Sequence, residues 1–264
     1  VSEARIRAVR LPCPDVAAAL AFYRAAFGCR EAPAPPGLAA LTLGAQRLEF
    51  APCAEPEPAH DPPAANATGF QHCALVVCDM ERAMGRLRET RGWSPISTRG
   101  PETLPPASGG VGAFKFRDPA GHPLELLAFP AGGAPEPFAS MPDGAFLGID
   151  HSAITVADAD RSIAFYAALG FRLHGRQQNR GVEQQRLDGL AVPVRVEVVS
   201  LVPPGGAPPH LELLCYRSPA ATRAPAPDGS RFATVLCLSG EADAAAPVAD
   251  PDGHRLLRGA FTQA

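Results

Sequence analysis

The chain has 264 residues, 46% of them apolar, and a net charge of -3 with no clustered run of Lys or Arg. This is enough chain for one large or two ordinary domains with a real core, and it argues against a surface that tracks phosphates on nucleic acid or an anionic membrane. The opening "VSEARIRAVRLPCPD" carries charges where a secretory leader needs an apolar core, and no apolar run is long enough to cross a bilayer. The expectation is a cytoplasmic protein, monomeric or homodimeric, whose partner is a small-molecule substrate.

The first predicted unit is "RIRAVRLPCPDVAAALAFYRAAF", residues 5 to 27: a strand, an Asp, then a helix. Asp15 reads as an N-cap, Val16, Leu20, Tyr23 and Phe27 share a helical face, and Gly28 reads as the C-cap. The unit closes on the strand "QRLEFAP", which carries Glu49. A Pro- and Ala-rich stretch, "APCAEPEPAHDPPAANATG", reads as a linker.

Residues 69 to 91, "GFQHCALVVCDMERAMGRLRETR", repeat the plan with His72 on the strand, Asp79 as cap, Met80, Met84 and Leu87 on one face, and Gly92 after the helix. The loop "LPPASGGVGAFKF" has Gly109, Gly110 and Gly112 and reads as a flexible rim or lid. The turn "DPAGHPLELLAF" follows, with Glu125 in its strand. After the stretch "PAGGAPEPFASMPDGAF", residues 148 to 170 bring the plan a third time, with His151, the cap Asp158, the stripe Ile163, Tyr166 and Leu169, and Gly170; "HLELLCY" then carries Glu212. A fourth segment, after "SPAATRAPAPDGS", has only "FATVLCLSG" and "DPDGHRLLRGAF", too little chain for a full helix and two strands. Leu257 stands there in the place of Glu125, and His122 and His254, each following a DPxG turn, read as turn or surface residues.

Alternation along the strands puts Leu48 and Phe50, Leu124 and Leu126, and Leu211 and Leu213 on one face and the three glutamates on the other. A carboxylate in a buried strand costs several kcal/mol unless something pairs with it, so roughly that penalty must be met by a partner or a bound cation. His72 shares its face with Ala74 and Val76, and His151 with Ala153 and Thr155, which leaves room in front of each imidazole. The seven cysteines contain no CxxC pair or zinc-ribbon spacing and read as free thiols.

These motifs, "GIDHSAITVADADRSIAFYAALGF", "GFQHCALVVCDM", "FKFRDPAGHPLELLAFP" and "HLELLCY", resemble the vicinal oxygen chelate superfamily, which includes glyoxalase I, bleomycin resistance proteins and extradiol dioxygenases. The resemblance implies an α+β fold of tandem βαβββ modules on curved mixed sheets. The implied N-terminal domain is 5–130, with modules 5–52 and 69–130; a linker at 131–146 leads to a C-terminal domain 147–262, with modules 147–217 and a reduced 229–262. It implies a divalent ion, Fe, Ni, Mn or Zn, held by inward positions: Glu49, His72, Glu125, His151 and Glu212. Ala8 replaces the first-strand ligand of module one, and Arg10 beside it would bind an anionic group of the substrate.

Two pairings are open. Modules two and three together would gather His72, Glu125, His151 and Glu212; modules one and two would gather Glu49, His72 and Glu125. The implied activity is a glyoxalase-like lyase or isomerase acting through a metal-bound enediolate, with Glu125 or Glu212 as general base. The alternatives are an Fe(II) extradiol dioxygenase and a metal-free small-molecule binding or resistance protein.

Overall fold

The computed structural model describes residues 5–54, 61–141, 144–239 and 247–259. Strand β1 (Ile6–Cys13) leads through α1 (Val16–Phe27) to β2 (Arg30–Ala32), β3 (Ala39–Leu43) and β4 (Gln46–Pro52). Module two runs β5 (Gln71–Val77), α2 (Met80–Glu89), β6 (Ser94–Pro95), β7 (Glu102–Thr103), β8 (Gly112–Arg117) and β9 (Pro123–Ala128). Module three runs β10 (Phe146–Thr155), α3 (Ala159–Ala168), β11 (Arg172–Gly181), α4 (Val182–Leu187), β12 (Val194–Val202) and β13 (His210–Ser218). The fourth has β14 (Val235–Ser239), β15 (Val248–Ala249) and β16 (Arg255–Gly259), with no helix among its described residues. This is the expected α+β architecture of repeated strand-helix-strand modules.

The capping reading is met at the N-termini: Asp15, Asp79 and Asp158 each accept the amide three residues on. At the C-termini Gly28 closes α1 in the left-handed conformation, which an L side chain adopts only at a cost. Gly92 does not play that part, because α2 ends two residues earlier at Thr90, whose hydroxyl bonds the carbonyl of Arg86. The apolar stripes face the core, with Tyr23, Phe27, Leu87 and Tyr166 buried. Five of the seven cysteines are buried.

Two sheets form. One has the order β15-β16-β14-β1-β4-β3-β2, and the other β11-β12-β13-β10-β5-β9-β8-β6, with β7 on β8. Module one therefore shares a sheet with module four, and module two with module three; the two halves divided at 131–146 each contribute to both sheets. Phe27 of α1 spans the core between them, meeting Phe116 and Phe146 at ring separations of 6.2 and 5.2 Å.

The DPxGH turns latch the sheets together, which corrects the reading of their histidines as surface residues. Asp118 turns the chain by accepting the amides of Ala120 and His122, and its other oxygen takes the Tyr23 hydroxyl at 3.0 Å and His122 Nδ1 at 2.9 Å. His122 Nε2 lies 2.9 Å from the carbonyls of Pro12 and Arg231, in the other sheet and the segment leading to it. The fourth module reciprocates: Asp250 accepts the Tyr166 hydroxyl at 3.1 Å and the amides of Asp252 and His254, and His254 Nε2 donates to the Thr155 carbonyl at 2.9 Å. Both histidines are buried because each turn leans on a strand end of the opposite sheet.

Both nitrogens of His122 face acceptors, so the imidazolium satisfies more bonds than the neutral ring. Burial opposes that charge, but Asp118 and the two carbonyls outweigh it and raise the pKa above its ordinary value. The stability this residue adds is therefore full below the unfolded value of about 6.5 and is lost as pH rises through the folded one. His122→Gln should lose on the order of 2–4 kcal/mol in urea unfolding near pH 6, with the gap to wild type narrowing as pH rises above the unfolded value. A gap independent of pH contradicts the charged latch.

Candidate metal centre

The second sheet positions its inward side chains in two rows. Across β13, β10, β5, β9 and β8 the register sets His210, His151, Ala74, Glu125 and Lys115 side by side. One step along, Ser200, Glu212, Ala153 and His72 form the second row across β12, β13, β10 and β5. Neighbouring strands are about 4.8 Å apart, so His151 and Glu125 stand two strands from each other with only the methyl of Ala74 between. Ala153 likewise separates His72 from Glu212. Each alanine lets longer side chains meet above it.

They meet at Glu125. Its Oε2 is 2.9 Å from His72 Nε2 and 3.8 Å from His151 Nε2. Glu212 Oε2 lies 3.5 Å from His151 Nε2, and Glu212 Oε1 accepts the Ser200 hydroxyl at 3.0 Å. Donor atoms of His72, Glu125 and His151 all lie within 4.8 Å of one another, and all three residues are buried. Asp150 takes His151 Nδ1 at 2.8 Å, fixing the ring so that Nε2 faces the cluster.

Charge follows from these contacts. Burial holds His72 at about 4, overcoming the attraction of Glu125, so the ring is neutral as a metal ligand must be. Burial also works against ionised Glu125, yet Lys115, His151 and His72 together hold it well below the usual carboxylate range. For His151 burial is outweighed by Glu212, Asp150 and Glu125, which favour positive charge at the ring. Lys115 is anchored by Asp188 at 2.7 Å and stays charged despite its burial.

The chemistry of these donors suits a divalent ion. His151 Nε2 is buried and has no hydrogen-bond partner among the described residues, although carboxylate oxygens stand on two sides of it. Imidazole nitrogen and carboxylate oxygen are donors for Fe, Ni, Mn or Zn. Glu125, Asp150, Asp188 and Glu212 outnumber the ammonium and the charged ring of His151, and a divalent cation taking the place of the His151 Nε2 proton would offset the excess. His72, Glu125 and His151 would hold it, with Glu212 at the open side.

The cluster lies at the floor of a cavity of about 210 Å³ whose walls include Leu104, Leu127, Leu187, Val198 and Leu214. Ser108, Gly109 and Val111 of the glycine loop form part of its rim, with Gly109 and Gly110 at positive φ. A wider cleft of about 540 Å³ adjoins it and shares Phe129, Asp150 and Glu212.

Two expected site residues are not brought here. Glu49 is in the first sheet, fully buried, with Arg7, Arg10 and Arg47 at 2.8, 2.9 and 3.1 Å. Burial raises its pKa, but the arginines more than compensate and lower it. It is neutralised by guanidinium groups instead of serving as a ligand in the second sheet, and Arg10 is correspondingly occupied with Glu49. In the first sheet's cup Ala8 and Leu257 pack with Val235 and Cys237. Three residues missed in the sequence belong to the second-sheet site: Asp150, which precedes His151; Asp188, at the end of α4; and Lys115, whose place between Phe114 and Phe116 repeats the apolar-charged-apolar pattern of Leu124, Glu125 and Leu126.

The chain belongs to the glyoxalase/bleomycin resistance protein/dioxygenase superfamily, whose model matches residues 5–126 and 148–235. Among solved structures it is similar to glyoxalase I from Zea mays, at 17% identity and a TM-score of 0.60, covering 97% of this chain and 92% of that one. It is also similar to a putative dioxygenase from Bacillus subtilis, at 15% identity and a TM-score of 0.52, covering 90% of this chain and 70% of the other. At these identities the likeness is one of fold. Curated protein sequences contain no significant match.

Metal content after exposure to Ni(II) or Zn(II) and desalting checks the ligand assignment. Wild type should retain about one ion per chain, His72→Ala and His151→Ala should weaken retention at least about tenfold, and Glu49→Gln should leave it unchanged. Retention lost in Glu49→Gln but kept in His151→Ala would contradict the assignment.

Proposed function

We propose that this chain is a divalent-metal-dependent lyase or isomerase that moves a proton next to a carbonyl group of a small oxygenated molecule. The observation that carries this reading is the convergence of His72, Glu125 and His151 from three adjacent strands, with His151 Nε2 left unpartnered. The bound ion would polarise the substrate carbonyl and stabilise negative charge on its oxygen.

The protein's own groups divide the remaining work. Glu125 is tied to His72 and flanked by Lys115, which suits it to remain an ionised ligand. Glu212 is the better proton carrier. Its side chain is 23% exposed, it borders both the cavity and the cleft, and Ser200 fixes one oxygen while the other faces the cluster. It would take the proton from the carbon beside the carbonyl and return it to the neighbouring carbon, as a general base that becomes the acid. The apolar walls keep bulk water from competing for that proton. Asp150 holds His151 in one orientation throughout.

A second reading, ring cleavage by an extradiol dioxygenase, is favoured by the donor set itself, since two imidazoles and one carboxylate suit Fe(II) with positions open for a catechol and oxygen. The test offers metal-loaded protein small hydroxycarbonyl compounds, as hemithioacetals of methylglyoxal with several thiols and as hydroxypyruvate, and, separately, catechols under an oxygen electrode. Isomerisation of one of the hydroxycarbonyl compounds without oxygen uptake is expected. Glu212→Gln should lower turnover by about 10²–10⁴ while keeping the metal. Oxygen uptake with catechols and silence toward the hydroxycarbonyl compounds would replace the lyase reading with the dioxygenase one.

A further inference from the structure

Lys115 has a capacity that the proton transfer above does not use. It projects from β8 beside Glu125 and is only 3% exposed, yet it lines the cavity. Its ammonium donates to Asp188 Oδ1 at 2.7 Å and makes no other hydrogen bond or ion pair with the side chains of the described residues, while Glu125 and Glu212 act on it from longer range. A buried ammonium is costly, and an apolar side chain would fill the same space between Phe114 and Phe116 more cheaply.

The surroundings hold this ammonium in place. Asp188 Oδ2 takes Gln184 Nε2 at 2.8 Å, Gln184 Oε1 takes Asn179 Nδ2 at 3.1 Å, and Asn179 Oδ1 takes Gln177 Nε2 at 3.2 Å. Gln177, Asn179 and Gln184 line the same cavity, so a chain of polar side chains runs along it to Lys115. Leu104, Leu127, Val198 and Leu214 supply apolar lining.

We propose that Lys115 binds the carboxylate of the substrate, and that the substrate class is a small 3-hydroxy-2-oxo acid or its 2-hydroxy-3-oxo isomer. This rests on the reading of the cavity as the substrate site. Placement points to the class: Lys115 and Glu125 are register neighbours on adjacent strands and line one cavity with His72 and His151, so a carboxylate held by Lys115 puts the rest of a compact acid beside those three side chains. The cavity, at about 210 Å³, falls below the roughly 300–1,000 Å³ of sites for drug-sized ligands and fits a compact acid.

The experiment titrates pyruvate and its uncharged counterpart hydroxyacetone into wild type and into Lys115→Met/Asp188→Asn, a pair chosen so that no buried charge is left alone. Because a carboxylate also suits a metal ion, both metal-free and metal-loaded protein are measured by calorimetry. In metal-free wild type, pyruvate should bind at least about tenfold more tightly than hydroxyacetone; the double variant should lose that preference while hydroxyacetone binding stays within about twofold. Unchanged pyruvate affinity in the folded variant overturns the proposal. If the variant does not fold, metal-free His151→Gln decides: a preference for pyruvate that survives loss of the His151 charge supports the role of Lys115, and equal or undetectable binding of the two probes overturns it. Metal uptake is scored separately. Protein that takes up no metal but keeps a Lys115-dependent preference for pyruvate would sink the metal-dependent reaction and leave this assignment standing.

Discussion

The antiparallel pairing of β5 with β10 is the constraint on which the site depends. Its register sets His72 opposite Ala153 and His151 opposite Ala74, so each imidazole stands beside a methyl group and reaches over it. The parallel partners β9 and β13 then bring Glu125 and Glu212 to the same level. Side chains alternate with a period of two, so a slip of one residue would turn His72 or His151 into the core and expose a leucine or valine to the cavity. Because β5 is buried throughout, that slip is strongly opposed.

The same module plan has two outcomes. In the second sheet the inward positions keep imidazoles and carboxylates, whereas in the first Ala8, Cys237 and Leu257 pack against one another and Glu49 is surrounded by arginines. The fourth module nevertheless retains its Asp-Pro-Asp-Gly-His turn. That turn grips Tyr166 and the end of β10 from across the molecule, just as the matching turn of module two grips Tyr23 and the end of β1. The turn and the carboxylate it precedes thus serve different purposes, and Leu257 could lose one without the other.

What the sequence shows of this is largely local. The three capping aspartates, the apolar helix faces and the inward glutamates follow from periodicity, and two imidazoles at matching strand positions point to metal chemistry before any strand is paired. Pairing is the part that periodicity does not contain. Glu49 has the same apolar flanks as Glu125, but the β1/β4 register sets Arg10 beside it, and the pairing of β1 with β14 keeps module one out of the sheet that holds His72 and His151. His122 reads as exposed because it follows a turn; its burial comes from the Pro12 carbonyl, 110 positions away. Lys115 lies at the end of a glycine-rich stretch that reads as rim, and its charge gains meaning only beside Glu125 in the folded sheet.

The central claim is that two imidazoles, from His72 and His151, and the carboxylate of Glu125 share one ion. X-ray absorption spectroscopy of the protein loaded with one equivalent of Zn(II) tests it most directly. The account predicts a first shell of nitrogen and oxygen only, at about 2.0–2.2 Å, with outer-shell scattering from two imidazole rings that falls to one ring in His72→Ala. A sulfur scatterer near 2.3 Å, or a shell without imidazole scattering, would contradict it.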